Sequence, residues 1–147
     1  MTEAVRAVPT TGCCRIHIPP TLVSIAISRS AVRRVTVFRD DDAESAFLVA
    51  LTEIVANAID EHVRLGMDES IALEIEFGAS DVVRVIDSGA GLQARSGSTG
   101  NAPSADGPLE RGRGLELARA LVPAIEFDVT ERGTTVTLPL AGFGIVR

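Results

Sequence analysis

The stretch Leu51–Val63, LTEIVANAIDEHV, predicts one amphipathic helix. Its apolar side chains recur every three or four residues and form a single stripe, made up of Leu51, Ile54, Val55, Ala58, Ile59 and His62. Glu53 and Asn57 lie off this stripe, four residues apart, so their side chains stack one turn above the other. A carboxylate stacked on a carboxamide suits a base beside a hydrated magnesium ion, and the alternative is an ordinary solvated helix face.

The composition indicates a globular chain with a single domain. Its 147 residues are enough for a substantial core, and 46% of them are hydrophobic. Because the chain has five Phe but no Trp or Tyr, we expect a core of Val, Ile, Leu and Ala. A net charge of −6, without a run of Lys or Arg, argues against nucleic acid as the main partner.

Cysteine usage and hydropathy predict a cytoplasmic protein. Cys13 and Cys14 are adjacent, a spacing that rarely forms a disulfide, and no second pair completes a metal site, so we interpret them as free thiols. The N-terminus lacks the pattern of a secretory signal. The longest apolar run, near Leu22–Ile27, is too short to span a bilayer.

The first part of the chain predicts a strand followed by a helix. Residues 1–13 are expected to form a flexible arm, and Cys14–Ile18 a short strand that ends at two prolines. The segment Leu22–Phe38 fits both a strand and a helix, and its uninterrupted length favours the helix. As a helix, it carries an apolar stripe of Val23, Ile27, Ala31, Val35 and Phe38.

A long helix and two strands are predicted next. The central helix is expected from about Ala43 to Leu65, with an N-cap within Asp40–Asp42 and a glycine, Gly66, at its end. Strict alternation of apolar and polar residues predicts a half-buried strand at Ile71–Phe77. A tight connection leads to a second strand, Asp81–Ile86.

The last third of the chain predicts a loop, a helix and a hairpin. Residues 94–108 have no apolar period and are interpreted as a functional loop. A short helix at Leu115–Val122 and strands at Ile125–Val129 and Val136–Leu140 follow. Together the elements predict a two-layer α/β sandwich, with helices on one face of a mixed, mainly antiparallel sheet.

Four short motifs have chemistry that suits a nucleotide: Glu53-x-x-x-Asn57, Asp87-x-Gly89-x-Gly91, Gly112-x-Gly114-Leu115 and Gly133-Thr134. The carboxylate of Asp87 can accept the amino protons of adenine. Its two glycines leave room for the backbone to turn against a planar base. The second glycine pair is expected to open a helix, where free amides and the helix dipole favour phosphate oxygens.

Neighbouring side chains extend this nucleotide hypothesis. Arg111 and Arg113 add positive charge beside the second glycine pair, and Thr134 can donate a hydroxyl near the adenine or the phosphates. Each motif alone also fits an ordinary turn, a packing contact or a hairpin. The order of the motifs, their spacing and the long loop between the second and the third favour the nucleotide site.

The combination resembles the GHKL ATP-binding fold over roughly residues 14–140, including the segment IPPTLVSIAISRSAVRRV at residues 18–35. Within that fold it looks like the stand-alone bacterial anti-sigma factor serine kinases of the RsbW/SpoIIAB type, which implies a helix in the ambiguous segment. The resemblance implies that Glu53 is the catalytic base, Asn57 the Mg²⁺ ligand, and Asp87 the aspartate that reads adenine. It also implies an ATP lid at about residues 93–111, and nucleotide contacts from Gly89, Gly91, Gly112, Gly114, Leu115 and Thr134.

The family implies ATP-dependent phosphorylation of an anti-anti-sigma partner with a STAS domain, binding of a sigma factor, and a homodimer. Arg29, Arg33 and Arg34 on the first helix are then either a partner surface or solvated side chains. Two alternatives remain open. One is a GHKL module that sequesters a partner without catalysis, and the other is a stand-alone ATP-binding domain of a histidine kinase.

The chain departs from the family pattern at two places. Glu61 occupies a position that is often histidine in the family, where an acid can either repel triphosphate or assist the metal. His62, one residue later, lies on the apolar stripe and is interpreted as a core histidine. The expected lid lacks lysine and contains Pro103 and Pro108, which favours the non-catalytic alternative.

Overall fold

Residues 11–89 and 108–147 are described by the computed structural model, and within them seven strands and three helices form two layers. The strands are β1 (Gly12–Ile18), β2 (Thr36–Phe38), β3 (Ile71–Phe77), β4 (Val82–Asp87), β5 (Glu126–Thr130), β6 (Gly133–Pro139) and β7 (Gly144–Val146). The helices are α1 (Val23–Val35), α2 (Asp41–Arg64) and α3 (Pro108–Leu121). None of the helices in these ranges has the length and apolar character needed to cross a membrane.

The main sheet has the strand order β1-β3-β4-β6-β5. Every pairing within it is antiparallel in the described part of the chain, whereas the sequence analysis expected a mixed sheet. Its core face carries alternate residues of each strand, such as Leu73, Val83 and Leu138, which are fully buried against the helices. The opposite face is polar, with an ion pair between Arg15 and Glu74. The predicted two-layer α/β sandwich is therefore confirmed.

Strand predictions were best where alternation was strict. Ile71–Phe77 is a strand with the predicted bounds, because its apolar side chains alternate without interruption. The first strand begins at Gly12, two residues earlier than expected, because its backbone pairs with β3 as far as Phe77. Cys13 and Cys14 lie in this strand as exposed free thiols, as predicted. The small β2–β7 sheet was not predicted, since strands of three residues have no readable period.

Helix α2 has both of the end signals that its sequence predicted. The side chain of Asp40 accepts a hydrogen bond from the Ala43 amide at 2.7 Å, which is the N-cap contact. At the other end Gly66 adopts φ +65°, and the Met67 amide donates to the His62 carbonyl at 2.8 Å. The predicted apolar stripe is buried throughout, with each member at most 3% exposed: Leu51, Ile54, Val55, Ala58, Ile59 and His62.

Helix α1 buries a different face from the one expected. Ser24 and Ser28 are fully buried, whereas Val23 and Ile27, two members of the predicted stripe, are 59% and 39% exposed. The buried hydroxyls are satisfied locally, because Ser24 donates to the Pro19 carbonyl and Ser28 to the Ser24 carbonyl. The predicted apolar stripe was therefore wrong in its first two turns, and α1 leaves apolar side chains on its outer surface.

Helix α3 begins at Pro108, seven residues before the predicted start at Leu115. Proline suits the first turn of a helix because the amide it lacks has no partner there. Gly112 and Gly114 are then the fifth and seventh residues of the helix, beyond its unsatisfied amides. The expectation that they open the helix was wrong. The predicted lid overlaps the first turn of α3, and its residues 93–107 lie outside the described ranges.

Candidate functional site

One face of α2 carries three polar side chains on successive turns, Glu53, Asn57 and Glu61. Gly114 of α3 lies against the first of them, since a Cβ atom built on this glycine would be 2.6 Å from Oε2 of Glu53. Gly89, in the turn after β4, lies against the last, with its built Cβ 2.6 Å from Cγ of Glu61. The fold thus brings the first three sequence motifs together along one helix face.

Asn57 lies in the middle of this face, and its amide oxygen lacks a partner. Oδ1 is buried and accepts no hydrogen bond from any residue in the described part of the chain. A buried acceptor without a donor is unfavourable, so this oxygen is available to a water molecule or a ligand. An amide oxygen is a ligand type that Mg²⁺ accepts, with phosphate and water oxygens completing its shell. The environment of Asn57 therefore fits the role that the sequence assigned to it.

Asp87 ends β4 and is almost completely buried. Its Oδ1 accepts hydrogen bonds from the backbone amides of Gly89 at 2.9 Å and Thr134 at 3.4 Å, and no described residue donates to Oδ2. Burial raises the pKa of Asp87, while the two amide bonds and nearby His62 act in the opposite direction. Among the described residues, hydrogen bonds therefore reach only one of the two carboxylate oxygens of Asp87.

The Gly133-Thr134 motif meets Asp87 across the sheet. Thr134 is the direct partner of Asp87 in the β4–β6 pairing and is itself buried. Gly133 has φ +143°, and a Cβ atom there would lie 1.9 Å from the Asp87 carbonyl oxygen. Only glycine fits such a close approach of two backbones. The sequence identified this pair as a hairpin motif but did not reveal the contact that requires the glycine.

His62 is a residue next to the site whose role the sequence analysis missed. It is fully buried, as predicted for a core histidine, but its ring is not only a packing element. Nδ1 lies 3.0 Å from the Glu69 carbonyl oxygen, and Nε2 accepts the Ser88 amide at 3.1 Å. Both partners are backbone atoms, seven and 26 residues away in the sequence, so the pattern of residue types contained no signal for them.

Glu61, the acid at the position that is often histidine in the family, is paired within its own helix. Its carboxylate is buried and contacts the guanidinium of Arg64 at 2.7 Å. The guanidinium partly compensates the negative charge of Glu61, and the contact does not decide between repulsion of a triphosphate and assistance to a metal. The spacing of three residues between these side chains was the available signal for this ion pair.

The remaining predicted site residues fall into three groups. Leu115 is partly buried and packs against the hydrophobic core. Gly91 lies outside the described residues, as do the side chains of Arg111 and Arg113. Gly112 is described as part of the α3 backbone.

Comparison with known proteins identifies the family. Residues 18–140 match the histidine kinase-like ATPase domain, and the chain belongs to this family of ATP-binding domains. No curated protein sequence shows significant similarity to the chain.

One solved structure with a similar fold is the crystal structure of the RsbU and RsbW domains of Rv1364c from Mycobacterium tuberculosis. It has a TM-score of 0.59 and 19% sequence identity, and the match covers 87% of this chain. The chain spans 32% of that longer protein. This similarity confirms the GHKL fold that the motifs predicted.

Proposed function

We propose that this domain binds Mg·ATP and phosphorylates a serine on a small partner protein. The observation that carries the proposal is the polar face of α2. There the buried oxygen of Asn57, without a hydrogen-bond partner among the described residues, lies between Glu53 and Glu61, and glycines from two other motifs pack at the ends. Family membership supports the ATP, and the unsatisfied amide oxygen supports a cation beside it.

In this proposal Asp87 selects adenine. Oδ2, to which no described residue donates, accepts from the exocyclic amino group of the base, while Oδ1 stays bonded to the amides of Gly89 and Thr134. The hydrogen bonds to Oδ1 hold the carboxylate in one orientation before the ligand arrives. A guanine base would present a carbonyl oxygen where adenine has its amino group, so we expect ATP to bind more tightly than GTP.

Glu53 is the proposed general base. It takes the proton of the partner's serine hydroxyl as the serine oxygen bonds to the γ-phosphorus. The bond from that phosphorus to the β,γ-bridging oxygen breaks, and ADP leaves with the electron pair. Mg²⁺, when bound at Asn57, would neutralise charge on the phosphates. Glu53 is partly exposed on its helix face, so a partner's hydroxyl group can reach it.

The proposed partners are a sigma factor and an anti-anti-sigma protein with a STAS domain. Because sigma factors act in the cytoplasm, the proposed location is the cytoplasm. The proposed assembly is a homodimer. The motif resemblance to RsbW-type kinases supports these partners, as does the similar fold of a structure that contains an RsbW domain. The outer face of α1 is the proposed partner surface. Val23 in its first turn and Leu22 just before it are 59% and 74% exposed. Leu22 lines the same surface groove as Arg34, which is exposed in the last turn.

A phosphoryl-transfer assay with labelled ATP and a STAS protein tests the catalytic part of the proposal. We expect transfer by the wild type, and loss of transfer with retained ATP binding in Glu53→Gln. Glu126→Gln, an exposed glutamate on β5, is the matched control and should behave like the wild type. If the wild type binds Mg·ATP by calorimetry but transfers no phosphate, the domain is a binding module, and if it binds none, the nucleotide site itself is rejected.

A further inference from the structure

His62 connects two backbone segments that flank the candidate site. It lies in the last turns of α2, and its ring bridges the Glu69 carbonyl and the Ser88 amide. Ser88 lies between Asp87 and Gly89, the two residues that form the proposed base-reading turn. The histidine therefore holds the centre of this turn from the side of the helix.

The partners of the ring determine its tautomer. A backbone carbonyl only accepts a hydrogen bond and a backbone amide only donates one, so Nδ1 carries the proton and Nε2 offers its lone pair. In this neutral form both ring nitrogens are satisfied, which is the condition for full burial of the side chain. The hydrogen bond to Ser88 requires the lone pair on Nε2.

The turn that His62 holds is fixed on three sides. Asp87 accepts the Gly89 amide across Ser88, and a Cβ atom on Gly133 would lie 2.9 Å from the Ser88 Cα. The histidine supplies the third contact, at the Ser88 amide. Ser88 itself is exposed, so without this contact its amide can turn towards water and the turn becomes less ordered.

We propose that His62 is a positioning residue for nucleotide binding, and that the acceptor at Nε2 holds the Ser88 amide and thereby orients Asp87 and Gly89 towards the base. The inference rests on the proposed function, because it assumes a nucleotide at Asp87. The ring does not touch the ligand in this proposal. Its effect on affinity comes from order in the turn before binding.

Two substitutions test the acceptor at Nε2 of His62 separately from the donor at Nδ1. In His62→Gln the amide oxygen reaches the place of Nε2 and can still accept from Ser88. In His62→Asn the shorter amide reaches only the place of Nδ1 and can still donate to the Glu69 carbonyl. Both remove a buried ring, so a role in packing alone predicts lower melting temperatures and no difference in affinity.

The measurement is the Kd for Mg·ATP by calorimetry, at a temperature where each variant is folded by circular dichroism. We expect Kd to rise about tenfold in His62→Asn and by no more than about threefold in His62→Gln. Hydrogen exchange at the Ser88 amide should accelerate only in the asparagine variant. Equal affinities in the two variants, or a wild-type Kd in His62→Asn, would overturn the proposal.

Nuclear magnetic resonance of the wild type tests the hydrogen bond without any variant. We expect a proton on Nδ1 and a scalar coupling between the Ser88 amide and Nε2. A proton on Nε2, or no coupling, would overturn the positioning role even if neither variant folds. If the coupling is present but the wild type does not bind Mg·ATP, the proposed nucleotide function is at fault rather than the contact.

Discussion

Gly114 of α3 packs directly against the carboxylate of Glu53 on α2, with only the space of a missing methyl group between them. The glycine lies inside a helix, where its amide is not available to a phosphate. Its function is therefore best explained by the room that it leaves for the proposed base. This contact joins two motifs that are more than fifty residues apart in the sequence.

Gly114→Ala is expected to separate stability from catalysis. Alanine favours a helix interior over glycine by about 1 kcal/mol, so the free energy of unfolding should not fall. The new methyl group would lie 2.6 Å from Oε2 and displace the carboxylate of Glu53. Because a misplacement of about 1 Å can lower a rate about a hundredfold, phosphoryl transfer should fall strongly while the Kd for Mg·ATP changes little.

The double variant Gly114→Ala/Glu53→Gln provides the control for this prediction. If the alanine acts only through the carboxylate, the double variant should be no slower than Glu53→Gln alone. Additive losses of transfer rate would show that the glycine acts by another route.

Asp87 is expected to make both stability and Mg·ATP binding depend on pH. Its pKa is raised by burial, so the folded protein holds this proton more tightly than the unfolded chain does. As the pH falls through the raised pKa, the contribution of Asp87 to stability becomes more favourable. The affinity for Mg·ATP should fall in the same range, because a protonated carboxyl group loses acceptor capacity for adenine. Calorimetry and thermal unfolding between about pH 7 and pH 4 measure the two trends.

Asp87→Asn is the reference for that titration. The amide keeps the oxygen that accepts from Gly89 and Thr134, and it removes a buried charge. We therefore expect weaker Mg·ATP binding at neutral pH without a lower melting temperature. A variant that binds as tightly as the wild type would contradict the role assigned to Asp87.

Gly133→Ala is expected to destabilise the fold at the site, and Gly66→Ala provides a matched comparison. Both glycines have positive φ, but a Cβ atom on Gly66 meets nothing within 4 Å, whereas one on Gly133 overlaps the Asp87 carbonyl. The Gly66 change should cost about 1 kcal/mol of unfolding free energy and the Gly133 change about 3 kcal/mol or more. Urea unfolding of the two variants measures the difference, and equal costs would contradict the close approach.

The arginines of α1 should differ in their effects. Arg29 donates to the Leu48 carbonyl and to Thr52, so Arg29→Ala should lower the melting temperature by loosening α1 from α2. Arg34 has neither an ion pair nor a hydrogen-bond partner among the described residues and lies beside the exposed apolar face. Arg34→Glu should leave stability unchanged and weaken binding to sigma factor or STAS protein in a pull-down assay. Wild-type binding by Arg34→Glu would contradict the proposal that α1 is the partner surface.

The sequence predicted those parts of the fold in which apolar residues recur with one clear period, that of a helix or that of a strand. The central helix and the strand Ile71–Phe77 follow directly from the spacing of their apolar residues. The prediction of which α1 face is buried was wrong in the first two turns. Ser24 and Ser28 are buried there because their hydroxyls donate to nearby carbonyls, and a pattern based on hydrophobicity does not include such bonds. The predicted start of α3 was too late. Gly112 and Gly114 suggested a loop before the helix, but the helix begins at Pro108 and contains both glycines.

The candidate site was predictable as a set of motifs but not as a set of contacts. Glu53 and Asn57 were identified by their spacing within one helix, and their positions agree with the structure. His62 and Gly133 act on the backbone of the Asp87 turn, and such contacts depend on how distant segments meet in space. A single sequence contains the residue types but not these distances.

Helix α2 has consequences beyond the chemistry of the site. One side of it forms much of the hydrophobic core, and the other carries Glu53, Asn57 and Glu61. A nucleotide bound there would have to dissociate before this helix unfolds. Ligand concentration would thus be coupled to the lifetime of the folded domain, by about 2.7 kcal/mol at a hundred times the Kd. Cellular ATP would then protect the domain from proteolysis as well as serve as its substrate.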